Sequence, residues 1–104
     1  MENELCYDTD ALTHFCSEWG VAEMWVFGSM ARGDFAIDSD VDVLVQYQRG
    51  RNLPEEIELV VDRDEALSSV FGREVDLVDM DALRESHNWL LRKYILEGAV
   101  KIYG

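Results

Sequence analysis

Gly28, Ser29, Asp40, Asp42 and Asp76 have the types and spacing for phosphate and metal chemistry. Gly28 and Ser29 stand where an apolar run ends, the place of a strand-to-helix turn. A glycine there lets a ligand approach the backbone, and the free N–H groups of the next helix, with the Ser29 hydroxyl, can hold phosphate oxygens. Asp40 and Asp42 follow Ser29 after ten intervening residues, in a stretch that alternates with the period of a strand. Residues i and i+2 of a strand share one face with Cα atoms roughly 6.5–7 Å apart. Carboxylates so placed can bridge two hard cations about 3.5–4 Å apart, and oxygen ligands suit Mg2+. Asp76, between Val75 and Leu77 that turn to the opposite face, can complete the site from an adjacent strand and accept the proton of an attacking hydroxyl.

Asp-x-Asp also occurs at residues 8/10, 38/40, 62/64 and 79/81, so context has to select among the pairs. Asp62 and Asp64 fall in a helical stretch, where i and i+2 point about 200° apart and cannot readily share a metal. Asp8/Asp10 and Asp79/Asp81 fall at helix starts, which favour acids electrostatically. A calcium loop beginning at Asp38 fails because Val43 and Arg49 stand where Gly and Glu are required. Asp40/Asp42 alone has strand context.

The elements that must position these residues follow from periodicity and punctuation. Asp8 or Thr9 caps a first helix with Leu12, Phe15, Cys16 and Trp19 on one stripe, stopped by Gly20. A strand covers 21–27, a short helix Ser29–Arg32 closes at Gly33, residues 34–39 connect, and 40–47 form the second strand. After a loop over 48–53, Pro54 opens a helix carrying Ile57, Val60, Val61, Leu67, Val70 and Phe71, ended by Gly72. A third strand spans 74–78. A last helix over 81–97 turns Leu83, Leu90, Leu91, Tyr94 and Ile95 inward, its outer remainder being either a solvated face or a partner surface, and an edge strand covers 99–103. This order predicts an α+β fold, a small mixed sheet with helices packed mainly on one face.

With 104 residues, there is room for a single domain, 1–104, and none for a second catalytic one. Nine Lys and Arg against 22 Asp and Glu give a net charge of −13, which repels a phosphate backbone or an anionic membrane. Direct nucleic-acid and membrane partners are therefore disfavoured, while a basic partner, or simple solubility, fits the charge. The longest apolar run, Met24 to Phe27, is far short of a bilayer span, and the start has no basic-then-apolar signal, so a cytoplasmic location is expected. Cys6 and Cys16 read as incidental and core rather than as a disulfide. His14 and His87 lack partners at ligand spacing and read as helix residues, and Trp25, Trp89 and Tyr47 as core.

Gly28-Ser29-Met30-Ala31-Arg32-Gly33, followed by Ser39-Asp40-Val41-Asp42-Val43-Leu44-Val45, resembles the signature of the minimal nucleotidyltransferases of the DNA polymerase beta-like superfamily. Arg73-Glu74-Val75-Asp76-Leu77-Val78 resembles their third carboxylate strand, and the likeness runs from the first helix to Tyr103. The resemblance implies transfer of AMP from ATP with pyrophosphate leaving. Gly28 and Ser29 would bind the triphosphate, and Asp40, Asp42 and Asp76 would be the catalytic and metal-binding residues for two Mg2+ ions. Arg32 matches the family's usual arginine and would either neutralise phosphate or pair with an acid. Many such proteins act as the antitoxin of a HEPN-domain ribonuclease toxin by adding AMP to one of its tyrosines, and that partner is the specific expectation. Neither His14 nor His87 follows an arginine at the spacing of the toxin's own motif. A non-catalytic antitoxin that acts by binding, and transfer to a small-molecule hydroxyl, are the alternatives.

Overall fold

Asp8 opens the first helix, α1 (Thr9–Trp19), by accepting the backbone N–H groups of Asp10 (2.9 Å) and Ala11 (3.3 Å), donors that a helix start leaves without intrahelical partners. In the computed structural model, which describes residues 6–33, 39–49 and 57–104, α1 ends at Gly20, whose N–H returns to the Cys16 carbonyl. Then come β1 (Val21–Phe27), α2 (Ser29–Arg32), β2 (Val41–Tyr47), α3 (Ile57–Phe71), β3 (Val75–Asp79), α4 (Met80–Glu85), α5 (Trp89–Gly98) and β4 (Val100–Tyr103). Pro54, most of the 48–53 loop, residues 34–38 and the Ile57 side chain lie outside the described residues.

The sheet has four strands in the order β3-β2-β1-β4. β1 is antiparallel to β2 and β4, whereas β2 and β3 run parallel, with α3 in the crossover. Alternation along β2 sends Val41, Val43, Val45 and Tyr47 to one face, against Leu12, Phe15 and Cys16 of α1 and Leu67, Val70 and Phe71 of α3. Leu44 points the other way and meets Phe27, Met80, Leu83 and Ile95. The larger core thus lies on one face, as expected for this α+β fold, and α4 and α5 add a thinner layer on the other. Leu44 is fully buried between β2 and that layer. Leu44→Ala is expected to cost ~2–5 kcal/mol, read as a lower urea midpoint.

Cys16 is fully buried, and burial pushes its thiol up to about 12, so it packs as an inert apolar group. Cys6 is exposed, and both cysteines are free. No helix among the described residues is long and apolar enough to cross a membrane.

The expected single C-terminal helix is two helices. Ser86 is extended, with its N–H on the Leu83 carbonyl (3.2 Å), and the Asn88 side chain accepts the Leu91 N–H (3.1 Å) to start α5 afresh. Serine and asparagine side chains compete with the helix for backbone bonds, which makes Ser86-His87-Asn88 a break rather than a turn of helix. The Arg92 guanidinium ties the pieces together by donating to the Arg84 carbonyl at 3.1 Å. The break shifts the apolar phase: of the residues expected inward, Leu83 and Ile95 are buried, whereas Leu90, Leu91 and Tyr94 are 62%, 45% and 54% exposed.

Three other expectations are corrected on similar grounds. Trp89, expected in the core, is 61% exposed beside the break, and His87 lies in the break instead of in a helix. Val61 is exposed because the stripe of α3 passes through Arg63 instead, whose buried guanidinium reaches Asp64 (3.0 Å) and the Tyr47 hydroxyl (3.4 Å). Tyr47 is buried and Trp25 half-buried under the Lys101 ammonium (5.6 Å), in keeping with core roles. His14 sits on α1, 3.4 Å from Glu18.

Candidate active site

Asp42, Gly28 and Asp76 meet because of strand register. Phe27, the last residue of β1, pairs with Asp42 across the antiparallel ladder, and Asp42 pairs with Asp76 across the parallel one. Asp42 and Asp76 therefore project from neighbouring strands on the same side, the side covered by α4 and α5, while Val75 and Leu77 pack against the larger core. Asp40 lies ahead of the first residue of β2 rather than inside the strand.

Gly28 turns the chain from β1 into α2 with φ +70° and ψ −144°, a backbone region essentially closed to other residues. It also lies directly under a carboxylate: a Cβ at this position would stand 2.7 Å from Asp42 Oδ2. Ser29 follows as the first residue of α2, anchored by the buried Met30 and closed by the Gly33 N–H on the Ser29 carbonyl (2.9 Å). The turn thus brings a short helix start next to the carboxylates.

Burial raises the proton affinity of the half-buried Asp42 carboxyl above the ordinary aspartate range, and the negative charges of Asp76 and Asp40 raise it further. Asp40 and Asp76 are exposed. The strand entrance that carries Asp40 is clasped from the next segment: the Val41 N–H donates to the Glu74 carbonyl (2.8 Å), and the Arg73 guanidinium donates to the Ser39 carbonyl (3.3 Å). Arg73 is a positioning residue that sequence reasoning missed. Its reach to Ser39 depends on the register of the parallel pair β2 and β3, which the strand–helix–strand order does not fix.

Among the described residues, no three Asp, Glu, His or Cys side chains close on one point as a ready-made metal cage. The repulsion from Asp76 and Asp40, which adds to burial in lifting Asp42, is nevertheless the kind that a hard divalent cation relieves, and the three side chains offer only oxygen, the donor such cations take. The residues fit Mg2+ on that chemistry. A groove of about 580 Å3 along α3 and the start of β3 shares only Asp76 with these residues.

Arg32, the last residue of α2, is exposed, and its Nη1 donates to the Tyr94 hydroxyl of α5 at 3.1 Å. This contact was not expected, because the spacing placed Tyr94 in the core. It ties α5 to the helix that begins at Ser29.

The description "Nucleotidyltransferase domain" belongs to the family model that matches residues 10–102. A protein of Thermococcus cleftensis named protein adenylyltransferase MntA is 42% identical over 66 residues, which is 64% of this chain and 63% of that protein. A chain of a toxin–antitoxin crystal structure with AMP-PNP superposes with a TM-score of 0.68 at 20% identity, over 93% of this chain and 73% of that one. A structure of a tri-AMPylated HEPN toxin from Shewanella oneidensis in complex with an MNT antitoxin gives a TM-score of 0.59 at 17% identity, over 92% of this chain and 69% of that one. At these identities the two structures establish the shared fold.

Proposed function

The chain belongs to the nucleotidyltransferase domain family, and on that premise we propose that it transfers AMP from ATP to a hydroxyl, a tyrosine's, of a HEPN-domain ribonuclease toxin and so acts as its antitoxin in the cytoplasm. The observation that carries this reading is the register that sets Asp42 beside Gly28 on one strand and beside Asp76 on the other. Gly28 and Ser29 bind the triphosphate at the turn into α2. Asp40, Asp42 and Asp76 would hold the two Mg2+ ions, whose charge would favour an in-line displacement at phosphorus with pyrophosphate leaving. Asp76, exposed on the edge strand β3, takes the proton of the acceptor hydroxyl. Arg32, at the far end of the four-residue α2, offers its guanidinium to phosphate.

A protein acceptor is supported by the name of the Thermococcus relative and by the AMPylated toxin in the Shewanella structure. Incubating a HEPN protein encoded beside this chain with the chain, ATP and Mg2+ is expected to add mass in AMP steps, and none with an Asp40→Asn/Asp42→Asn variant. A tight complex without added mass would replace transfer by neutralisation through binding. Neither complex nor added mass would point to a small hydroxylated acceptor.

A further inference from the structure

The strand order β3-β2-β1 gives the candidate site two sides. The turn at Gly28 and Ser29 leaves β1, Asp76 stands on β3, and Asp42 lies between them on β2. On the transfer reading above, the triphosphate lies at the turn and Asp76 meets the attacking hydroxyl, so the acceptor arrives from the β3 side.

That side carries a groove of about 580 Å3, whose walls include Val61, Asp64 and Glu65 of α3 and Glu74, Val75 and Asp76 around the start of β3. Val75 and Asp76 turn to opposite faces of the sheet, so a groove lined by both runs along the outer edge of β3. Among the described residues no strand pairs with β3 on that side. The Glu74 carbonyl accepts the Val41 N–H of β2 (2.8 Å), so the backbone groups of Val75, next along, point away from β2. An outward-facing strand edge can hold an extended chain through its main-chain groups.

Charge narrows the occupant. Residues 59–79 hold six Asp and Glu against two cations, Arg63 and Arg73, a surplus of four negative charges. Arg63 is buried with its guanidinium on Asp64 (3.0 Å) and the Tyr47 hydroxyl (3.4 Å), and Arg73 donates to the Ser39 carbonyl (3.3 Å). Neither arginine lines the groove, nor does any Lys or His among the described residues. With Asp64 paired, the groove still presents Glu65, Glu74 and Asp76, all exposed, beside the exposed Val61. A second copy is opposed by the repulsion of two chains that each carry −13.

We infer that this groove is where the acceptor protein docks, presenting an extended basic segment whose cations meet Glu65 and Glu74 and whose neighbouring hydroxyl reaches Asp76. This inference rests on the protein-transfer reading above. It sets donor and acceptor on opposite sides of Asp42, as an in-line displacement requires.

The test uses Glu65→Lys and Val61→Lys, at exposed positions in the groove wall, and as a control Glu97→Lys on α5, outside the groove, which changes the net charge as much as Glu65→Lys does. All are checked for an unchanged thermal melt. Titration calorimetry gives the affinity for the HEPN protein encoded beside this chain and, separately, for Mg-ATP; steady-state AMP transfer gives kcat and the acceptor KM. Glu65→Lys is expected to raise the acceptor Kd and KM about tenfold and Val61→Lys severalfold, with kcat and Mg-ATP affinity unchanged, and added KCl to weaken acceptor binding more steeply in the wild type than in Glu65→Lys. Wild-type Kd and KM in both groove variants overturn the inference, as does an equal rise in Glu97→Lys, which would leave net charge alone as the cause. If the wild-type chain binds the acceptor and Glu65→Lys weakens the complex, but no AMP is transferred, the groove stands and the transferase reading falls. If instead the wild type transfers AMP and both groove variants do so with unchanged KM, the transferase reading stands and the groove falls.

Discussion

Asp40→Asn and Asp42→Asn are each expected to lower AMP transfer by on the order of 10³-fold or more while leaving the chain folded. An amide keeps the shape of the side chain and removes the charge that a divalent cation and the in-line displacement require. For Asp42 the fold itself gains. Its carboxyl titrates above the unfolded value of 3.8 because burial and the charges of Asp76 and Asp40 oppose ionisation. The folded chain therefore binds more protons than the unfolded one between those two values, so this group's contribution to stability falls as pH rises through that interval and stays unfavourable at neutral pH. In EDTA at pH 7, Asp42→Asn is expected to melt at or above the wild-type temperature, with the difference vanishing at pH values below the unfolded aspartate value. Added Mg2+ is expected to raise the melting temperature of the wild type and not of the double variant, since a ligand stabilises only the state that binds it. Undiminished transfer in both single variants would remove the carboxylates from the chemistry.

Gly28→Ala is expected to abolish transfer and also to destabilise the chain. A side chain at φ +70° and ψ −144° costs ~1–3 kcal/mol of backbone strain. The added Cβ would lie 2.7 Å from Asp42 Oδ2, so the carboxylate or the turn has to move, and either motion pulls the turn proposed to bind the triphosphate away from the acids. Chemical denaturation measures the strain and transfer kinetics the displacement. A variant with wild-type kcat and a wild-type unfolding midpoint would show that the close approach of Gly28 to Asp42 is dispensable.

Local rules make much of this legible. Asp8 and Gly20 bound α1, Gly33 closes α2, and Gly72 follows α3, as caps and stops do in any sequence. The alternation over residues 41–47 separates the Asp42 face from the Val43 face, and burial follows it except at Leu44, which the second helical layer covers. The C-terminal region departs from its sequence pattern because two helical stripes in nearly continuous phase look like one helix. Ser86-His87-Asn88 breaks them: Ser86 is extended, and the Asn88 side chain starts α5 afresh by accepting the Leu91 N–H.

The sequence by itself determined the element order from α1 to β3, the turn at Gly28 and the closeness of Asp40 to Asp42, because each depends on neighbours within a few residues and on backbone rules that act locally. Only the tertiary structure decided that Asp76 stands opposite Asp42, that Arg73 clasps Ser39, that Tyr94 meets Arg32 and that α5 faces outward. Those contacts join segments far apart in the chain, and their register is set by how the sheet and its two helical layers pack together, a condition no local pattern carries.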